Sequence, residues 1–298
     1  MSSAIHDLGY KRYVGTRRAS STRWRVIARH QLASAWKGWW RWKLAALLAL
    51  IPAVVAAVWI FVFANELSSL TRGAVPVTLA DAALPMTFGS YCAIAFVASL
   101  TIGAGIIAGD VQSGAFVFYF ARSTRPIDYL LGKLAGYAIV IASIIALGPM
   151  LVAIMRVVLS GTHDTHALVH QLVVVPEALG VGLLATLAYA SIPLGFSALV
   201  RKRSHALGLW AAYYILYGNI LVATGIAGNK HWLAALDVAT ALKSIADRLF
   251  GVPLLGSHAL DVPITACVIS VVGQSAAALA IVYWKLSTSQ KAGVGGAT

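Results

Sequence analysis

The chain has 298 residues, of which 59% are apolar and only 11% charged, with a mean hydropathy of +0.80 and a net charge of +13. Water-soluble domains carry about 25% charged residues, and a globule of this size has too little interior to hide so many apolar side chains. A soluble cytosolic enzyme is excluded as the default, and a lipid-embedded chain is expected. Cys92 and Cys267 both sit in apolar runs without CxxC spacing, so no disulfide framework is implied.

In chain order, residues 1–19 read as a basic N-terminal tail without the apolar core and cleavage site of a secretory leader. Residues 20–43 intersperse Trp24, Trp36, Trp39, Trp40 and Trp42 with Arg and Lys. Indole rings prefer the headgroup layer and cationic side chains reach phosphate, so this stretch is expected to be an amphipathic interfacial helix on membrane lipid. A solvated basic arm is the alternative. Nucleic acid is not an expected partner, because lipid already accounts for the aromatic and basic residues.

A bilayer core about 30 Å thick needs roughly 20 apolar residues per helical crossing. The sequence supplies six such runs, near 44–64, 85–108, 134–155, 179–200, 206–226 and 264–284, so residues 44–286 read as a six-helix transmembrane domain followed by a flexible tail, 287–298. Irregular backbone and open sheet edges are costly in lipid, and the fold class is therefore all-α. Glycines such as Gly89, Gly103, Gly180 and Gly182 are expected where helices approach closely. The segments on the side of the termini total +15 and those on the other side −2, which by the positive-inside rule puts both termini in the cytoplasm.

Between the second and third runs lies GDVQSGAFVFYFARSTRPIDYLLGK, residues 109–133. Pro126 should open a helix leading into the third span. Phe116, Phe118, Tyr119 and Phe120 give this linker an aromatic surface that needs either a membrane or a protein groove to cover it.

The six-span plan, the amphipathic helix before the first span, and the series Asp110, Gly114, Arg122, Pro126, Gly132 and Lys133 together resemble the ABC-2 type transporter permeases, over roughly residues 20–286. Members of that family have an acidic residue, a glycine shortly after it, an apolar stretch, then a proline and a Gly-Lys pair; here Asp110 stands where a glutamate is usual. The resemblance implies an inner-membrane permease that dimerises with a second copy and couples to a cytoplasmic ABC ATPase dimer through residues 109–133. Asp110, Gly114, Phe116, Phe118, Tyr119, Phe120, Arg122, Arg125, Pro126, Gly132 and Lys133 would form the coupling element. ATP and magnesium would be bound by that partner subunit, and the permease would itself be non-catalytic. Export is the expected direction. The alternatives are a mechanotransmitting or scaffolding subunit acting on a membrane or periplasmic partner, and a membrane-bound biosynthetic enzyme.

No GxxxxGK[ST], HExxH or GxSxG pattern occurs. His163, His166 and His170, beside Asp164 and Glu177, could offer three imidazoles to a metal, although a loop needing no ligand is the simpler reading. Tyr213, Tyr214, Tyr217, Asn219 and Gln274, with Thr224 and Ser270, are the polar groups available to a transport pathway; they serve equally well as interhelical glue. The linker 227–263 contains an amphipathic stretch from Trp232 to Leu249. It reads as an outer or partly re-entrant helical element, with a soluble lid as the alternative.

Overall fold

A computed structural model describes residues 22–37, 39–62, 83–116, 119, 124–159, 172–250 and 262–295. Among the described residues all regular structure is helical: α1 (Arg23–Lys37), α2 (Trp39–Phe61), α3 (Ala83–Ala98), α4 (Ile106–Gln112), α5 (Pro126–Ile145), α6 (Leu147–Leu159), α7 (Val174–Leu199), α8 (Arg203–Ala211), α9 (Gly218–Ala227), α10 (Val238–Leu249) and α11 (Ile264–Gly295). Six stretches among the described residues are long and apolar enough to cross a membrane: Lys43–Phe61, Ala83–Gln112, Pro126–Leu159, Val174–Leu199, Arg203–Ala227 and Ile264–Lys291. Each overlaps one expected span. The third begins at Pro126 rather than Leu134 because Pro126 opens the helix and the Asp128 carboxylate accepts the Arg125 N–H at 3.4 Å. Helix-start chemistry sets that boundary, about two turns before the apolar run begins.

Three spans are interrupted. The second passes from α3 through a π-helical turn, Ser99–Gly103, into α4, and the fifth passes from α8 through another, Ala212–Tyr217, into α9. The third breaks between α5 and α6, where Pro149 has no N–H to offer the carbonyl one turn earlier. The break at Gly105 is repaired from outside the helix: Ser197 Oγ, on α7, accepts the N–H groups of Ile107 and Ala108 at 3.1 and 2.9 Å. A hydroxyl from another span thus takes the role of the N-cap side chain that Gly105 lacks.

The fourth span is the core. Of its apolar window 67% is buried, against 17% for the fifth span and 22% for the sixth. Small residues make this possible: a Cβ on Gly182 would lie 2.5 Å from the Ala146 Cα, and one on Gly195 would lie 2.8 Å from the Ala278 Cβ. Gly103 makes room for Tyr137, whose hydroxyl donates to the Tyr189 carbonyl at 3.2 Å. Of the four glycines expected at close contacts, Gly103 and Gly182 are at them, while Gly89 and Gly180 have no atom near the position of an added Cβ. Composition marks a helix as packable without telling which of its faces meets a neighbour.

The linker between the fifth and sixth spans packs into the bundle. After a 3₁₀ turn, His231–Leu236, Asp237 caps α10 by accepting the Thr240 N–H at 2.9 Å and the Thr240 hydroxyl at 2.5 Å. Val238, Ala241, Leu242, Ile245 and Ala246 are buried, whereas Leu249, expected on the same stripe, is exposed. Asp237 lies against Gly218, nine residues or roughly 14 Å along the helix from the Ala227 end of the fifth span. The final helix continues to Gly295, beyond residue 287 where a flexible tail was expected.

Candidate coupling site

Tyr129 and Lys133 lie four residues apart on α5 and therefore share a face. That face meets Asp110, in the last turn of α4. Lys133 Nζ is 2.8 Å from Asp110 Oδ2, and the Tyr129 hydroxyl donates to the same oxygen at 2.5 Å. Lys133 also donates to Gln31 Oε1 on α1 at 3.2 Å, and its ammonium lies 5.6 Å from the Tyr129 ring centroid. The lysine side chain is 7% exposed and the aspartate side chain 21%, so the pair is largely removed from solvent. A buried cation needs a paired anion and further acceptors, and both are present.

Glycines bring α1 close enough for Gln31 to take part. A Cβ on Gly132 would lie 2.6 Å from Ile27 Cβ and 2.8 Å from the Trp24 carbonyl oxygen; one on Gly136 would lie 2.7 Å from the Ala28 carbonyl oxygen. The Gly-x-x-x-Gly spacing puts both on one face of α5 and forms the trough in which α1 rests. Helix α1 is therefore docked on the third span, with Trp24 half-buried, while Arg25, Val26, Arg29 and His30 are exposed. The side chains of Trp36, Trp39, Trp40 and Trp42 lie outside the described residues.

Beyond Asp110 the chain turns at Gly114, whose φ of +68° is a conformation that glycine adopts without penalty. Phe116 and Tyr119 then fold back on Tyr129, edge-on, with ring centroids 5.6 and 5.1 Å away. These two aromatics pack over the aspartate site. Burial and the negative charge of Asp110 both raise the Tyr119 pKa, keeping the phenol neutral. Arg125 is exposed and Pro126 opens α5. Phe118, Phe120 and Arg122 lie outside the described residues, as do His163, Asp164, His166 and His170. Among the described residues no cluster of three metal-ligating side chains occurs.

The polar residues considered for a pathway divide into two sets. Tyr213 donates to Gln274 Oε1, and Gln274 Nε2 donates to the Leu236 carbonyl at 2.8 Å and to Ser270 Oγ at 2.9 Å. Tyr214 shares a 2.9 Å hydrogen bond with Tyr189 and stacks on Phe96 at 4.0 Å. Buried Trp210 donates to Ser99 Oγ at 2.7 Å. Tyr217 and Asn219, by contrast, are exposed, and the Asn219 amide donates to the Ile215 carbonyl of its own helix.

The sequence singled out Asp110, Gly132 and Lys133; the structure pairs Asp110 with Lys133 and turns Gly132 toward α1. Gln31 and Gly136 were not singled out. The Gly132-x-x-x-Gly136 spacing was the available signal for the trough; nothing local announces Gln31, which is 102 residues from its lysine. No curated protein sequence matches the chain. The model of a family described as "ABC-2 family transporter protein" matches residues 25–288, a stretch that takes in α1 from its third residue, the first five apolar spans, most of the sixth and the Asp110–Lys133 site. The chain is a multi-pass membrane protein of the ABC-2 transporter family.

Proposed function

We propose that the chain is the permease subunit of an ATP-driven exporter and that residues 109–133 couple it to a separate cytoplasmic ATPase. The observation that carries this reading is the link through Asp110, Tyr129, Lys133 and Gln31, which ties the two helices flanking the 111–125 segment to each other and to α1. A push delivered to that segment reaches the second span, the third span and the interfacial helix together. Such a link suits mechanical transmission, in which the chain moves with its partner and performs no chemistry itself.

The charge asymmetry of the sequence supports placing the α1 end of the bundle, with both termini, on the cytoplasmic side of an inner membrane. The sparse burial of the fifth span supports a second copy of the chain beside it, with the pathway between the two. Purified alone in lipid nanodiscs, the chain should hydrolyse no ATP; co-expressed with its ATPase it should form a complex that does. Hydrolysis by the isolated chain would refute the proposal.

A further inference from the structure

A recess of about 250 Å³ with a mixed polar and apolar lining opens at the α1 end of the bundle, where Gln31, Ser34, Thr101 and Arg203 face Ala35 and Ile106. Arg203 is held in it. Its guanidinium donates to the Thr101 carbonyl at 3.1 Å, and its aliphatic stem crosses Gly105 so closely that a Cβ there would lie 2.4 Å from Arg203 Cγ. Among the described residues no carboxylate is paired with it. Arg203 is exposed and its fork retains N–H donors for an anion; Arg201 and Lys202, exposed beside it, add to the positive field.

At Thr101 the recess meets an apolar groove of about 260 Å³ between Leu44, Ala45 and Leu48 of the first span and Ala93, Val97 and Ala98 of the second. Through Leu48, Ala93 and Ile94 this groove continues into a wider one of about 540 Å³ that reaches Trp59 and Ala83. From Thr101 to Ala83 the second span runs 18 residues, roughly 27 Å. A chain descending from one interface to the midplane of a 30 Å core needs about half of that.

We propose that this composite site binds one phospholipid with an anionic headgroup, its phosphate on Arg203 and an acyl chain in the groove between the first and second spans. A cationic recess opening onto an apolar groove of that length matches an amphiphile, whereas a free phosphate would use the recess alone. Gln31 belongs both to the recess and to the acceptor set of Lys133, so the headgroup lies beside the coupling link.

The test is native mass spectrometry of the purified chain with phosphatidylglycerol, phosphatidylcholine or inorganic phosphate. One phosphatidylglycerol per chain should be retained in preference to phosphatidylcholine. Arg203→Ala should reduce that retention about tenfold, the scale of one lost charge-assisted contact, while Arg201→Ala should change it less than twofold. Ala93→Leu, at an exposed position in the groove, should reduce lipid retention without altering the melting temperature. Equal loss in Arg201→Ala and Arg203→Ala would mean bulk attraction and overturn the site. Retention of phosphatidylcholine equal to phosphatidylglycerol, or full displacement of lipid by millimolar phosphate, would also overturn it.

Discussion

The two polar clusters of this bundle solve the problem of burying polarity in different ways. At the α1 end, Asp110 and Lys133 are charged and sit where the end of one span meets the start of another, with Gln31 and Tyr129 completing their hydrogen bonds. In the body of the bundle, Tyr213, Gln274 and the Leu236 carbonyl join three elements using neutral groups alone. Ionic pairs carry a large desolvation penalty that near-complete partnering and proximity to the interface offset; neutral groups can be matched deeper at less cost. The difference teaches that the charged cluster is the brittle one, and single substitutions should expose it.

The largest expected effect is at Lys133. Lys133→Met leaves Asp110 buried beside an apolar side chain and should lower stability by about 3–5 kcal/mol, while adding Asp110→Asn should restore most of the loss. Unfolding of both variants in mixed micelles checks this; a double variant as unstable as the single one would show that the ionic pair is not what makes the site brittle. Next in size is the trough. Gly136→Val places methyl groups where the Ala28 carbonyl lies, costing about 1–3 kcal/mol and exposing α1 to protease. Unchanged proteolysis would show that α1 does not depend on the trough.

Ser197→Ala should cost about 1–2 kcal/mol, because the Ile107 and Ala108 N–H groups lose their acceptor. Gln274→Leu, in the neutral cluster, removes three hydrogen bonds and should cost about 1–2 kcal/mol, at an average of about 0.6 kcal/mol for each bond between membrane helices. A loss there as large as that of Lys133→Met would erase the contrast between the clusters.

The remaining prediction concerns Asp247 on α10, outside the spans. Burial raises its pKa to about 6, partly opposed by Lys243, and its Oδ1 has no hydrogen-bond partner. The folded state therefore holds this proton more tightly than the unfolded chain, whose carboxyl titrates near 3.9. Stability from this group should fall as pH rises from about 4 to about 6 and level off above that. Asp247→Asn should flatten that slope in a pH series of melting temperatures.

The spans were legible because lipid imposes a run length and forbids most charge, both of which a sequence displays directly. The Asp110, Gly132 and Lys133 positions were legible as a family pattern before their contacts were known. Orientation within the bundle was not. The aromatic run after Gly114 reads as exposed surface, yet Phe116 and Tyr119 turn inward, since only the fold supplies Tyr129 as their partner. Gln31 and Ser197 were illegible for the same reason: each acts on a backbone or lysine about a hundred residues away.

The most direct test of the coupling role compares the ATPase retained by three purified forms of the chain: wild type, a Phe118→Ala/Phe120→Ala/Arg122→Ala variant of the coupling segment, and Trp232→Ala in the linker between the fifth and sixth spans. The account predicts equal retention by wild type and Trp232→Ala, and loss in the triple variant while its melting temperature stays within a few degrees. Undiminished ATPase on the triple variant would contradict coupling through residues 109–133.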